Sequence, residues 1–180
     1  MPKFDSLNDE HQHFIERQHI FFVATAAREG KVNLAPKGMD SLRVIDANRI
    51  IWLNLTGAEN ETAAHLADSP RMTLMWCSFD RIPYILRAYG DAVAIHQRDA
   101  AWDELSSLFP PLPGARQILD LQINLVLKSC GFGVPLFDFV GQRDTLMQWA
   151  ERKGEEGLMT HWKERNQWSL DDQPTGLLSA

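Results

Sequence analysis

Apolar residues along this chain gather in short runs, and the period within each run predicts the element it forms. In "QILDLQINLVLK", Leu119, Leu121, Ile123, Leu125 and Leu127 alternate with neighbours that are mostly polar. A period of two predicts a strand with those five residues on its buried face. "IFFVATAA" is rich in β-formers, and "REGK" has hairpin-turn composition leading into "VNLAPKGMD". "LRVID" and "RIIWLNL" around "AN" predict a second hairpin. "RMTLMWCSF" and "YILRAYGDAVAI" predict two further strands joined by "DRIP". Helical spacing appears in "NDEHQHFIERQ", capped by Ser6 or Asn8, in "ETAAHLAD" at 60–68, and in "RDAAWDELSSLF", which "PPLPG" stops. Two helices, "QRDTLMQWAERKG" and "EEGLMTHWKER", are expected near the end. The first few residues and the tail "SLDDQPTGLLSA" carry the weakest structural signal.

Strands at hairpin spacing, interrupted once by a small helix, predict an antiparallel barrel with helices packed outside it. The chain has 180 residues, 44% of them hydrophobic, which fits one domain with a substantial core. No apolar run reaches the length of a membrane span, and the polar N-terminus does not read as a secretion signal. Cys77 and Cys130 are far apart and form neither a disulfide framework nor a metal knuckle, as expected in a reducing cytoplasm. A formal charge of −6 argues against nucleic acid as a partner. His11 and His13 do not share a helix face and no His-Glu-x-x-His pattern occurs, so no metal site is expected.

An acidic protein can still hold one small anion if it concentrates donors locally. "TGAENETAA" has the composition for this: Gly57 permits a sharp turn, Asn60 and Thr62 offer short polar side chains, and the first amides of the helix face outward. A plain N-cap at Asn60 is the blander account of the same residues. Glu61 would repel an anion there and is expected to point to solvent. Two cations join the argument: Lys37, where "NLAPKG" leaves its strand beside Gly38, and Arg87, inside an apolar strand where a guanidinium needs an anionic or polar partner.

In this order, "VNLAPKGMD", "RIIWLNLTGAENETAAHL", "SPRMTLMW" and "ILRAYG" resemble the pyridoxamine 5'-phosphate oxidase-like, flavin-binding split barrels over about residues 21–95. "SCGFGVPLFDFVGQR" and "PTGL" resemble one bacterial branch of that family. The resemblance implies a mainly β fold with peripheral helices. It would be one domain over 1–180: a six-stranded antiparallel split barrel over about 20–130 and C-terminal helices over about 141–166. It implies flavin mononucleotide (FMN), with deazaflavin or haem as alternatives, in the groove of a cytoplasmic homodimer that acts on a small-molecule substrate. Lys37 and the Asn60, Glu61, Thr62 turn would hold the phosphate. Asn54, Leu55 and Thr56 would lie along the ring or ribityl chain, with Pro36, Gly38 and Met39 opposite.

The oxidases proper have an arginine where this chain has Val32, and Ser-Arg-Lys where it has Asn60-Glu61-Thr62. Arg87 or Arg43 is the expected replacement cation. The tail lacks the substrate-gripping arginine and histidine of the oxidases, so the expectation is a flavin oxidoreductase whose substrate is not pyridoxamine phosphate. A non-enzymatic flavin or haem binder of the same fold is the alternative.

Overall fold

The computed structural model describes residues 2–178. In chain order the elements are β1 (Lys3–Phe4), α1 (Asp9–Glu16), β2 (Phe21–Thr25), β3 (Asn33–Lys37), β4 (Leu42–Asp46), β5 (Arg49–Leu55), α2 (Glu61–Asp68), β6 (Arg71–Cys77), β7 (Tyr84–His96), α3 (Trp102–Ser106), β8 (Ala115–Cys130) and α4 (Thr145–Arg165). The strands form one antiparallel sheet in the order β3-β2-β6-β7-β8-β5-β4, with β1 added beside β8. It curls round one core to which β2, β5, β6, β7 and β8 all contribute, including Val23, Ile50, Leu74, Trp76, Leu86 and Leu121. This is the mainly antiparallel split barrel expected, with eight strands rather than six. β1 has only two residues, too short to leave a period in the sequence, and exists because β8 offers it an edge.

The alternation along β8 holds only in part. Leu119, Leu121 and Ile123 are buried, but beyond them Val126 is fully buried while Leu125 and Leu127 are half-exposed. A register shift between Tyr89 and Gly90 of β7 moves β8 by one residue and exchanges its faces. Gly90 is required there, because a Cβ would overlap the Gln122 carbonyl oxygen. Residues 116–121 are buried on both faces, since α3 covers the outside: Ile51, Leu53, Leu105, Phe109 and Ile118 form a second apolar cluster.

Of the helix expectations, the cap at Asn8 and the pair of C-terminal helices hold, while the helix before "PPLPG" shortens. Asn8 caps α1 and closes a capping box with His11. The helix expected from Arg98 to Phe109 shortens to Trp102–Ser106, because the Asp99 carboxylate accepts the His96 N–H at 2.8 Å and holds the preceding residues in a turn. α4 is two helices joined at Gly154, whose φ of 62° breaks the helical path.

The tail is not loose as far as it is described. The Lys31 N–H and ammonium both meet the Asp171 carboxylate, and the Arg98 guanidinium donates to the carbonyls of Leu177 and Gly176. Ser179 and Ala180 lie outside the described residues.

Candidate functional site

The loop from Thr56 to Asn60 leaves β5 and enters α2, and the C-terminal half of α4 clamps it from outside. Trp162 Nε1 donates to Thr56 Oγ1 at 2.8 Å, and that hydroxyl donates to the Gly114 carbonyl at 2.7 Å. Asn166 Nδ2 reaches the Gly57 and Ala58 carbonyls, and His161 Nε2 lies 3.2 Å from the Gly57 carbonyl. The loop is therefore pinned at the Gly57 and Ala58 carbonyls.

Within this clamp sits a cavity of about 210 Å³. Its walls include Asn33, Ala35 and Lys37 from one face of β3, Trp52 and Asn54 from β5, the Gly57–Thr62 turn, and Arg116 from β8. The charge balance of this wall is unusual. Arg116 is 3% exposed, and its guanidinium donates to Asn166 Oδ1 and the Glu59 carbonyl, each at 2.7 Å. Neither is an anion. Lys37 lies over the Trp52 ring, 5.0 Å from its centroid. Among the described residues, neither Lys37 nor Arg116 forms an ion pair. Burial and the Arg116 charge push the Lys37 ammonium down to about 8, and burial pushes Arg116 down to about 9. Two partly or fully desolvated cations facing one small cavity are a donor set suited to an anion.

The helix start agrees. Asn60 makes no side-chain cap bond, so its oxygen satisfies none of the first-turn amides of α2. Asn60 Nδ2 and Arg116 Nε are buried donors without a partner. An anion in the cavity gives the first-turn amides and the paired cations a counter-charge.

Several predicted residues come together here: Lys37, Asn54, Leu55, Asn60, Glu61 and Thr62 all line this cavity. Thr56 lies behind it, as the anchor for Trp162. Glu61 does not point to solvent. Its carboxylate accepts the Leu170 N–H at 2.8 Å and lies 3.9 Å from His65 Nε2, so the tail and α2 hold it at the cavity wall.

Arg87 is not in the site. It lies on the outer face of β7, between Met75 and Leu127, and donates to Ser129 Oγ at 3.1 Å. Arg43 is not there either. It grips the Asp40 carboxylate with two nitrogens, at 2.7 and 3.0 Å, bracing a β3–β4 turn in which Met39 and Asp40 have φ of 66° and 54°. The second cation is Arg116. An arginine entering an apolar strand had been the signal at Arg87, and "ARQILDL" carries the same signal one strand later.

Lys37 also lines a second, larger cavity of about 1050 Å³, which adjoins the first. Pro36, Gly38 and Met39 form one side of it, and Phe79, Phe137, Phe139, Leu146 and Trp149 supply apolar and aromatic surface. His19 stacks on Phe139 with ring centroids 3.6 Å apart. The two cavities differ in kind: one is small, polar and cationic, the other broad, aromatic and open to flat molecules.

An antiparallel split barrel with a small polar cavity, lined by Lys37 and Arg116, beside an aromatic one defines the class. The model of the pyridoxamine 5'-phosphate oxidase family matches residues 7–130, and the chain belongs to that family. It is similar to the pyridoxamine 5'-phosphate oxidase family protein ustO of Aspergillus flavus, 36% identical over 151 residues, 81% of this chain and 61% of that protein. The chain thus spans about three fifths of the length of that relative. Among solved structures it resembles a candidate pyridoxamine 5'-phosphate oxidase from Lactobacillus delbrueckii, with a TM-score of 0.56 and 21% identity. That match covers 71% of this chain and 99% of the other. HupZ of Group A Streptococcus matches with a TM-score of 0.53 and 19% identity over 69% of this chain and 97% of that one. At these identities the shared property is the fold.

Proposed function

We propose that this protein is an FMN-dependent oxidoreductase acting on a small-molecule substrate. The observation that carries the reading is a pair of cations without an ion-pair partner, the buried Arg116 and the half-buried Lys37, in a cavity at the start of α2. A terminal phosphate fits this donor set: two cations, the first-turn amides and the unpartnered Asn60 Nδ2. The adjoining aromatic cavity suits a flat ring system, and Lys37, common to both cavities, marks where the two halves of such a ligand meet.

Lys37, Arg116, Asn60 and Thr62 would hold the phosphate. Asn54 and Leu55 would flank the chain, and Met39, Phe137, Phe139 and Trp149 would wall the ring and exclude water. Bound FMN supplies hydride and electron transfer, and the protein binds, orients and shields. No side chain is assigned as a catalytic acid or base.

The protein is read as a cytoplasmic homodimer. Phe132, Leu136, Phe137, Phe139 and Val140 of the β8–α4 connection are exposed, Phe132 by 82% and Val140 entirely, and such an apolar concentration calls for a cover. Among the described residues, no helix is long and apolar enough to cross a membrane.

Absorbance spectra of the purified protein, with and without added FMN, test the cofactor. A flavin spectrum perturbed on binding, and bleached by NADH or NADPH before turnover with an acceptor, is expected. Protein that leaves the FMN spectrum unchanged at every concentration refutes the reading. Binding without reduction, or a preference for haem, favours the non-enzymatic alternative.

A further inference from the structure

Three buried amides link the cavity at the start of α2 to a histidine two strands away, since Asn54, Gln117 and His96 pair directly across β5, β8 and β7 and share one face of the sheet. Gln117 Nε2 donates to His96 Nδ1 at 3.3 Å, and Gln117 Oε1 accepts from Asn54 Nδ2 at 3.4 Å. The same Asn54 nitrogen donates to Asn60 Oδ1 at 3.4 Å. Gln117 is 0% exposed, Asn54 3% and Asn60 2%. Amides buried this deeply are costly unless their hydrogen bonds agree with one another. These agree along the whole path, and they end on Asn60 Nδ2, a donor without a partner.

The polarity of the path is set at its outer end. An amide nitrogen only donates, so His96 Nδ1 must be the acceptor and the ring neutral. A protonated ring has two donors and would demand the oxygen of Gln117. Gln117 would then turn its nitrogen to Asn54, which would have to answer with its oxygen. Asn60 would have to give its nitrogen to that oxygen and leave its own oxygen facing the cavity. An acceptor beside two acceptor-seeking cations is harmless, but an acceptor against a phosphate is repulsive.

We propose that His96, Gln117 and Asn54 form a polarity relay that turns the Asn60 amide donor toward a bound phosphate, and that a proton on His96 reverses it. The proposal rests on the flavin-phosphate reading above. His96, Gln117 and Asn54 are positioning residues, acting only through Asn60. The groups facing His96 are Arg98 and Asp99 from its own turn, Gln117 from β8 and the backbone of Gly176. The Asp99 carboxylate is engaged by the His96 N–H, and the Arg98 guanidinium by the Leu177 and Gly176 carbonyls. Burial first, then Arg98, lowers the pKa of His96, against the opposing pull of Asp99. The ring is therefore neutral at pH 7, with the relay in its binding orientation, and the switch lies below the ordinary histidine value.

The test compares the full chain with its His96→Gln variant, whose side-chain oxygen accepts at every pH. Dissociation constants for FMN and riboflavin are measured by flavin fluorescence from pH 8 to 5. The phosphate's own second ionisation, near pH 6, affects both proteins alike. The expected result is an FMN-to-riboflavin preference that falls with acid at least roughly fivefold further in the wild type than in His96→Gln. A conserved fold in both is checked by circular dichroism, and Gln117→Met, which cuts the relay, should show the same flattened profile. Superposable wild-type and His96→Gln profiles overturn the relay while leaving the flavin reading intact. Failure of the wild type to bind FMN at any pH defeats the flavin reading, and the relay falls with it.

Discussion

Lys37→Met removes one charge from the anion cavity while keeping an apolar stem over Trp52, so its effect isolates the ammonium. A charge-assisted hydrogen bond between ammonium and phosphate contributes about 1.5–3 kcal/mol, which predicts roughly 10- to 150-fold weaker FMN binding. Riboflavin, which has no phosphate, should bind the two proteins alike. The wild type offers a second route to the same number. With its pKa near 8, the free Lys37 ammonium is lost as the pH rises through that value, whereas a bound phosphate keeps the charge in place. FMN affinity should therefore decline above pH 8, with about one proton taken up per FMN bound, and the decline should be absent from Lys37→Met.

The unliganded protein should respond with the opposite sign. Between pH 8 and the ordinary lysine value of 10.5, the unfolded chain binds the extra proton and the folded chain does not. This group therefore makes stability rise with pH across that window, as the buried charge is relieved. Fluorescence titration at pH 7, 8 and 9, isothermal calorimetry in two buffers and urea melts measure these quantities. Equal FMN affinity for wild type and Lys37→Met, or wild-type affinity unchanged from pH 7 to 9, would remove Lys37 from the phosphate site.

Two further substitutions address the rest of the frame. Arg116→Gln should weaken FMN at least roughly tenfold with little change in riboflavin affinity, the scale of one charged hydrogen bond; equal losses for both ligands would mean that Arg116 only braces the Glu59 loop. Gly90→Ala should lower unfolding free energy by about 3 kcal/mol or more in urea melts, since its Cβ meets backbone that has no room to move. An unchanged midpoint would mean that the β7–β8 register relaxes freely.

The parts of the site legible in the sequence were those set by adjacent residues. "TGAENETAA" announced a helix start with small neighbours, and "APKG" a cation at a strand end, because turn geometry and helix amides depend on local chain chemistry. Arg87 and Arg116 show where that logic stops. Both interrupt apolar strands, yet one meets Ser129 on the outer face and the other meets the Glu59 carbonyl at the cavity. Which face an arginine occupies depends on register, and register is a relation between strands. The same holds for Leu125 and Leu127, displaced from the core by a bulge whose cause lies on the neighbouring strand, at Gly90.

Local pattern was thus enough to determine the longer strand runs, the capped start of α1 and the antiparallel class, since each follows from the period and caps within a single segment. The tertiary structure alone decided which cation shares the cavity with Lys37, that Glu61 is held at the cavity wall by Leu170, and that Asn54, Gln117 and His96 stand in line behind Asn60. Those are distances between residues up to 109 positions apart, set when the sheet curls and the tail folds back over α2.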